Sequence, residues 1–212
     1  MELCVSCKAC QRECPMSVDM AKMKSEFLSH YYKKFSMSIK DKVISNMPKL
    51  IWLLKISNPI VNFLNKVPII NKIIEWFGFS SKRSLPVVEN QSPLREIYNS
   101  QPNLEKKVIL FADTFNINFE IKNLMYAIRV INKFGYQAII PSFQNDNLNR
   151  PLCCGRTYIS MGQLDKAKSE LERFTSYITE NGYNELPVIG IEPSCLLTFN
   201  EKSRFPEKLL FA

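Results

Sequence analysis

The apolar positions of this chain change their period near residue 107, and the elements they predict change with them. Ahead of that point the spacing is helical. Asp19 stands where an N-cap belongs, and Met20, Met23, Phe27, Leu28 and Tyr31 follow on one face of the helix it would open. Residues 38–78 read as short helices punctuated by Pro48, Pro59 and Pro68, each tolerable in a first helical turn, with a stripe of Ile51, Leu54, Ile60, Phe63, Leu64, Ile70, Ile73, Ile74 and Phe77. Such a stripe suits a core or a partner surface first and a membrane surface second. Residues 80–106 lose periodicity and gather Ser, Pro, Asn and Gln, which marks a linker or a domain edge.

Beyond the linker, Val108–Ala112 is a continuous apolar run of strand length. Ile121, Leu124, Met125, Ile128 and Ile131 then recur at helical spacing up to Gly135, and Tyr136–Ile140 reads as a second strand. Leu164, Ala167, Leu171, Phe174 and Ile178 predict a further helix ending near Gly182, ahead of a third strand over Pro187–Ile191. The order β-α-β-α-β argues for a parallel sheet with helices on its faces. The expected class is therefore α/β, with a helical region over residues 1–79, a linker over 80–106 and an α/β domain over 107–212.

Charge alters this picture little. The formal net charge of +8 comes almost wholly from residues 1–100, where 15 Lys and Arg face 8 Asp and Glu. That excess fits an acidic partner, an anionic lipid surface or the negative charge of a thiolate-bound cluster. The charge-free stretch Ile56 to Asn65 is far short of the roughly 20 apolar residues that span a bilayer. Nucleic-acid binding has no motif and no basic, aromatic-lined helix in its favour.

The cysteines change the picture most. Seven occur in two groups with no secretory signal ahead of them, which implies a reducing compartment and metal or redox use rather than disulfides. Cys4, Cys7, Cys10 and Cys14 follow C-x2-C-x2-C-x3-C with Pro15 next. Three thiolates two residues apart wrap three corners of a [4Fe-4S] cube, while the proline sends the fourth cysteine into a new segment; in two-cluster ferredoxins that cysteine serves the other cluster. A zinc site would instead favour paired C-x2-C units around a longer loop. No second copy of the motif occurs in these residues. Lys8 and Arg12 beside it read as solvated side chains.

Cys153-Cys154-Gly155 follows the second predicted strand and Glu192-Pro193-Ser194-Cys195 the third, so all three thiols belong at the carboxyl ends of parallel strands, where open α/β sheets bind ligands. They predict a second redox or metal site, set against the plainer reading of buried inert thiols. Asp113 and Thr114, ending the first strand, could line the same crevice or cap a helix. His30 is the lone histidine and takes no catalytic role, no Ser-His-Asp set or dinucleotide fingerprint is present, and no catalytic residue is assigned.

The stretches LCVSCKACQRECPMSVDMAKMKSEFL, PLCCGRTYISMGQLDKAK and GIEPSCLLTF resemble the iron-sulfur C-terminal part of bacterial FAD-linked oxidases acting on D-2-hydroxy acids, the group of the D-lactate, glycolate and D-2-hydroxyglutarate dehydrogenases. The CCG segment is similar to the cysteine-rich domain shared with heterodisulfide reductase. The resemblance runs from Leu3 to about Phe199. It implies that Cys4, Cys7 and Cys10 ligate one cube, that Cys14 completes the cluster of an upstream motif, and that Cys153, Cys154 and Cys195 form half of a site able to hold a second iron-sulfur cluster. It also implies FAD on another domain or subunit and a quinone or carrier protein as acceptor. On this resemblance the chain is a fragment or split subunit, inactive alone, cytoplasmic, with peripheral contact at the inner face of the membrane. A non-catalytic iron-sulfur scaffold docking a flavoprotein or membrane surface is the second reading.

Overall fold

The computed structural model describes residues 9–56, 87–144 and 151–199, together with Cys4, Phe63, Val67, Lys72, Glu75, Trp76, Ser80 and Lys82. Most of the expected helical stripe beyond Ile56, and Cys7 and Lys8 in the first motif, lie outside the described residues.

The α/β expectation holds. Three parallel strands, β1 (Lys107–Phe111), β2 (Gln137–Ile139) and β3 (Val188–Gly190), form a sheet in the order β2-β1-β3. Val108 aligns with Ala138 on one side of β1, and Leu110 aligns with Ile189 on the other. β1 is the central strand because it is apolar on both faces: Val108 to Phe111 are all buried, as a strand covered by helices on either side requires. The outer strands are shorter than the five residues expected of each. Each pairs with β1 alone, so its ladder ends after three aligned pairs.

Strand alternation divides the core in two. Val108, Leu110 and Ala112 point to one face, where helices α5 (Ser92–Asn99) and α7 (Ile121–Lys133) contribute Leu94, Leu124, Ile128 and Ile131. Ile109 and Phe111 point to the other, against Leu171, Phe174 and Ile178 of α10 (Leu164–Glu180) and Phe199 of α11 (Pro193–Phe199). There Phe111, Phe174 and Phe199 pack ring on ring with centroids 4.7 to 5.4 Å apart. Helix α5 lies inside the stretch read as aperiodic. Pro93 starts it, and Leu94, with Ile97 and Tyr98 beside it, seats it on the sheet domain. Eight residues were too few to show a period above the polar background.

Ahead of the sheet come α1 (Ala9–Glu13), α2 (Met20–Lys34), α3 (Ile39–Ser45) and α4 (Met47–Ile56). The Asp19 carboxylate accepts from the Lys22 backbone N–H at 2.8 Å, as an N-cap should. Short helices α6 (Asn116–Phe119), α8 (Pro141–Gln144) and α9 (Arg156–Ser160) complete the described elements.

Candidate redox centre

The carboxyl ends of all three strands open into one cavity of about 390 Å³, and Cys153, Cys154 and Cys195 line it together with Asp113, Thr114 and Arg156. The Cys154 and Cys195 sulfurs lie 3.1 Å apart, and the Gly155 N–H points at the Cys153 sulfur from 3.5 Å. All three thiols are buried. Two chain segments 41 residues apart thus meet at sulfur because β2 and β3 flank β1 and deliver their following loops to the same edge.

Gly155 makes the approach possible. Its φ of +76° is left-handed, and a Cβ there would sit 3.0 Å from the Ala167 carbonyl oxygen of α10, so the CCG turn lies directly on that helix. The Cys153 thiol is pushed well above its ordinary range by its hydrogen bond with Cys154 and by burial, with the Thr114 hydroxyl pulling weakly the other way. Cys154 is lowered by its contact with Cys153. The hydrogen bond with Cys195 and burial outweigh that and push it up to about 12. Cys153 and Cys154 therefore keep their protons unless a cation replaces them.

Asp113 does both things the sequence allowed. It lines the cavity, and its carboxylate accepts from the backbone N–H groups of Phe115 and Asn116 at 3.0 and 3.1 Å and from the Asn116 side chain at 2.6 Å. Glu192 is likewise committed to the start of α11, accepting from the Ser194 hydroxyl and N–H. With both carboxylates engaged in capping, the three thiols are the cavity's nucleophilic groups, and Arg156 lines it beside them. Arg156, immediately after CCG, was missed by reasoning from sequence; its position next to that glycine turn was the available signal.

The N-terminal helices form part of this site. Ile44 of α3 lines the cavity, and Gln163, just after α9, donates its side-chain amide to the Ser45 hydroxyl at 2.9 Å. Gly162 is the hinge point: a Cβ there would lie 2.5 Å from the Ser29 backbone nitrogen, so α2 rests directly on the turn that follows α9. Nothing in the sequence linked Gly162 to a helix some 130 residues away.

The first cysteine group is placed only in part. Cys4, Cys10 and Cys14 are half-buried, and Lys24 of α2 donates to the Cys4 carbonyl at 2.7 Å. The backbone N–H groups of Val18 and Met16 donate to the Cys14 sulfur and hold its thiol below the ordinary range, a setting that suits a thiolate ligand. Among the described residues, no three His, Cys, Asp or Glu side chains are gathered to hold a metal ion. The six described cysteines are free. Among the described residues no helix is long and apolar enough to cross a membrane.

Fold and site together define an α/β protein with a thiol-lined crevice at the carboxyl edge of a parallel sheet. Comparison with curated proteins adds its relatives. The chain is similar to the D-2-hydroxyglutarate dehydrogenases of Pantoea ananatis (21% identical over 221 residues), Escherichia coli (19% over 214) and Haemophilus influenzae (20% over 214). Each alignment covers 95% of this chain and 20% of the relative, so the chain spans about a fifth of the length of the curated relatives it matches. No family model matches, and no solved structure matches.

Proposed function

We propose that this chain is the iron-sulfur electron-transfer part of a FAD-linked oxidoreductase that oxidises a 2-hydroxy acid. The observation that carries the reading is the convergence of Cys153, Cys154 and Cys195 on one buried crevice in a chain whose N-terminus bears a ferredoxin-type cysteine motif. The similarity to D-2-hydroxyglutarate dehydrogenases over 95% of the chain supports the substrate class.

In this reading residues 1–79 form the ferredoxin-type region and residues 107–212 the cysteine-rich region. Cys4, Cys7, Cys10 and Cys14 are the [4Fe-4S] ligands, and the cavity thiols hold a second redox or metal group. When bound, such clusters supply one-electron stations. The chain's own residues do the rest. The Val18 and Met16 N–H groups steady the Cys14 thiolate, the Gly155 turn presents Cys153 and Cys154, and α9 ties the cavity to the helix behind the first motif. Electrons enter from FAD on another domain or subunit and leave to a quinone or carrier protein, in the cytoplasm or at the inner face of the membrane.

The test is anaerobic reconstitution with iron and sulfide, followed by low-temperature EPR and iron and sulfide analysis of wild type and of Cys153→Ser and Cys195→Ser. Wild type should bind more iron than either variant and give a reduced-cluster signal. Wild type that takes up no iron and sulfide sinks the proposal.

A further inference from the structure

Two of the cavity thiols stand closer together than a shared ion would set them. Two thiolates on one tetrahedral ion, each at a bond length of about 2.3 Å, keep their sulfurs about 3.8 Å apart. The Cys154 and Cys195 sulfurs are 3.1 Å apart, one thiol donating to the other. About 1 Å of further approach brings them to the roughly 2.05 Å of a sulfur-sulfur bond. The pair is therefore nearer to bonding with itself than to chelation.

The pairing is selective. Cys153 adjoins Cys154 in the chain, but consecutive Cα atoms lie about 3.8 Å apart, below the roughly 4.4–6.8 Å that a disulfide spans. A bridge between neighbours would strain the backbone, so the thiol 41 residues away is the better partner. Both members are already held in place. Cys154 precedes the Gly155 turn that rests on α10, and Cys195 lies in the first turn of α11, its N–H donating to the Glu192 carbonyl at 3.0 Å. Both side chains pack in the same core as Phe111, Phe174 and Phe199. Little freedom is left to lose when a bond forms between them, which favours the intramolecular step over reaction with an outside thiol.

We propose that Cys154 and Cys195 form a reversible disulfide when a peroxide enters the empty cavity, and that this bond bars the crevice to metal until a dithiol reduces it. The second half rests on the reading that the cavity thiols hold a redox or metal group. The peroxide oxidises one thiol to a sulfenic acid, its O–O bond breaking and one water leaving. The other thiol then displaces the hydroxyl as a second water and forms the S–S bond. The two electrons lost by sulfur thus reduce the peroxide, and the two thiol protons end in water. A dithiol reverses the change by exchange, returning two electrons and two protons and becoming a disulfide itself. The cavity of about 390 Å³ is ample for a reagent little larger than water, whose share of liquid volume is about 30 Å³. Burial and thiol neighbours keep Cys154 protonated and slow the first step, so proximity rather than reactivity selects the pair. Once bonded, the pair leaves Cys153 as the one free thiol of the three, too few to hold an ion. A transient bridge of this kind is the sort of disulfide that a reducing compartment allows.

The test begins with the whole chain, reduced and free of metal under anaerobic conditions. It is treated with equimolar hydrogen peroxide, unfolded in iodoacetamide and mapped by peptide mass spectrometry without reductant. Cys154 should be joined to Cys195 with Cys153 alkylated, and dithiothreitol added before the alkylation should release both. The metal half uses a variant carrying Cys4→Ser, Cys7→Ser, Cys10→Ser and Cys14→Ser together, with the circular dichroism of wild type, so that iron uptake reports on the cavity. Reduced, it should take up iron and sulfide; after peroxide it should lose most of that uptake and regain it with dithiothreitol. Cys154 and Cys195 both alkylated after peroxide, or joined to other cysteines, would overturn the disulfide. A disulfide that leaves iron uptake unchanged overturns the bar to metal. If the disulfide forms but the reduced variant takes up no iron, the metal reading of the cavity fails and the bar fails with it, while the thiol pair stands.

Discussion

Two amphipathic helices of similar length, α2 and α10, behave in opposite ways. In α10 the large apolar residues Leu171, Phe174 and Ile178 are buried against the sheet. In α2 the large residues Met20, Met23, Phe27 and Tyr31 face outward, and Ala21, Ser25 and, at Gly162, Leu28 make the internal contact. The periodicity is sound in both. It reports which residues share a face, because side-chain direction follows backbone geometry, and it is silent on what covers that face. A helix in a layered α/β domain inherits its cover from the sheet. One that sits on a single turn at Gly162 presents the rest of its apolar arc to whatever comes next.

That contrast can be broken most severely from the sheet side. Phe174→Ala empties the centre of the three-ring stack and should cost about 3–5 kcal/mol, read as a lower urea midpoint. The cavity, built on the same strands, should go with it. An unchanged midpoint would show that α10 does not hold the second core.

Next is the seam between the two regions. Gly162→Ala forces a side chain into a left-handed position, on the order of 1–3 kcal/mol, and drives its Cβ into the α2 backbone. Hydrogen exchange should speed up in α2 while β1 stays protected. Equal loss of protection in both would mean that the regions unfold as one unit.

Smaller still is Asp19→Ala, which removes the N-cap of α2 and should cost about 1 kcal/mol. The loss should appear as faster exchange in the first turn of α2, next to Cys14, and leave the thiol cavity unaffected. Faster exchange at Gly155 or Arg156 would contradict this.

The last separates the two cysteine groups by reactivity at little cost to stability. In the cluster-free protein, iodoacetamide near neutral pH should modify Cys14 well before Cys153 or Cys154, since only the thiolate reacts and N–H donors favour it at Cys14 while burial and thiol neighbours oppose it at the other two. Between pH 9, the ordinary value for a thiol, and about 12, the unfolded chain ionises Cys154 while the folded chain keeps it protonated. Stability should therefore fall as pH rises through that window. Mass spectrometry of the alkylated peptides and urea midpoints across pH check the two halves. First modification at Cys153 would reverse the assignment.

Much of this molecule was legible before any coordinates. The five-residue apolar run of β1, the helices stopped at Gly135 and Gly182, and the placement of CCG and EPSC after strands all follow from local rules, because period, capping and strand-end position are properties of short segments. Helix α5 was missed for the same reason in reverse: Leu94, Ile97 and Tyr98 are too few to declare a period, and only their seat against α7 makes them a helix worth forming.

What the amino-acid sequence determined by itself was chemistry and class: thiols at ferredoxin spacing, thiols at strand ends, and a parallel α/β sheet. Only the tertiary structure decided that Cys154 and Cys195 meet at 3.1 Å, that Gly162 must lack a side chain for α2 to dock, and that α2 turns its methionines and aromatics outward. The physical reason is range. Hydrophobic period and turn chemistry act over a few residues, whereas a contact across 41 residues, or between a turn and a helix from the far end of the chain, exists only once the sheet order has brought both segments to one edge.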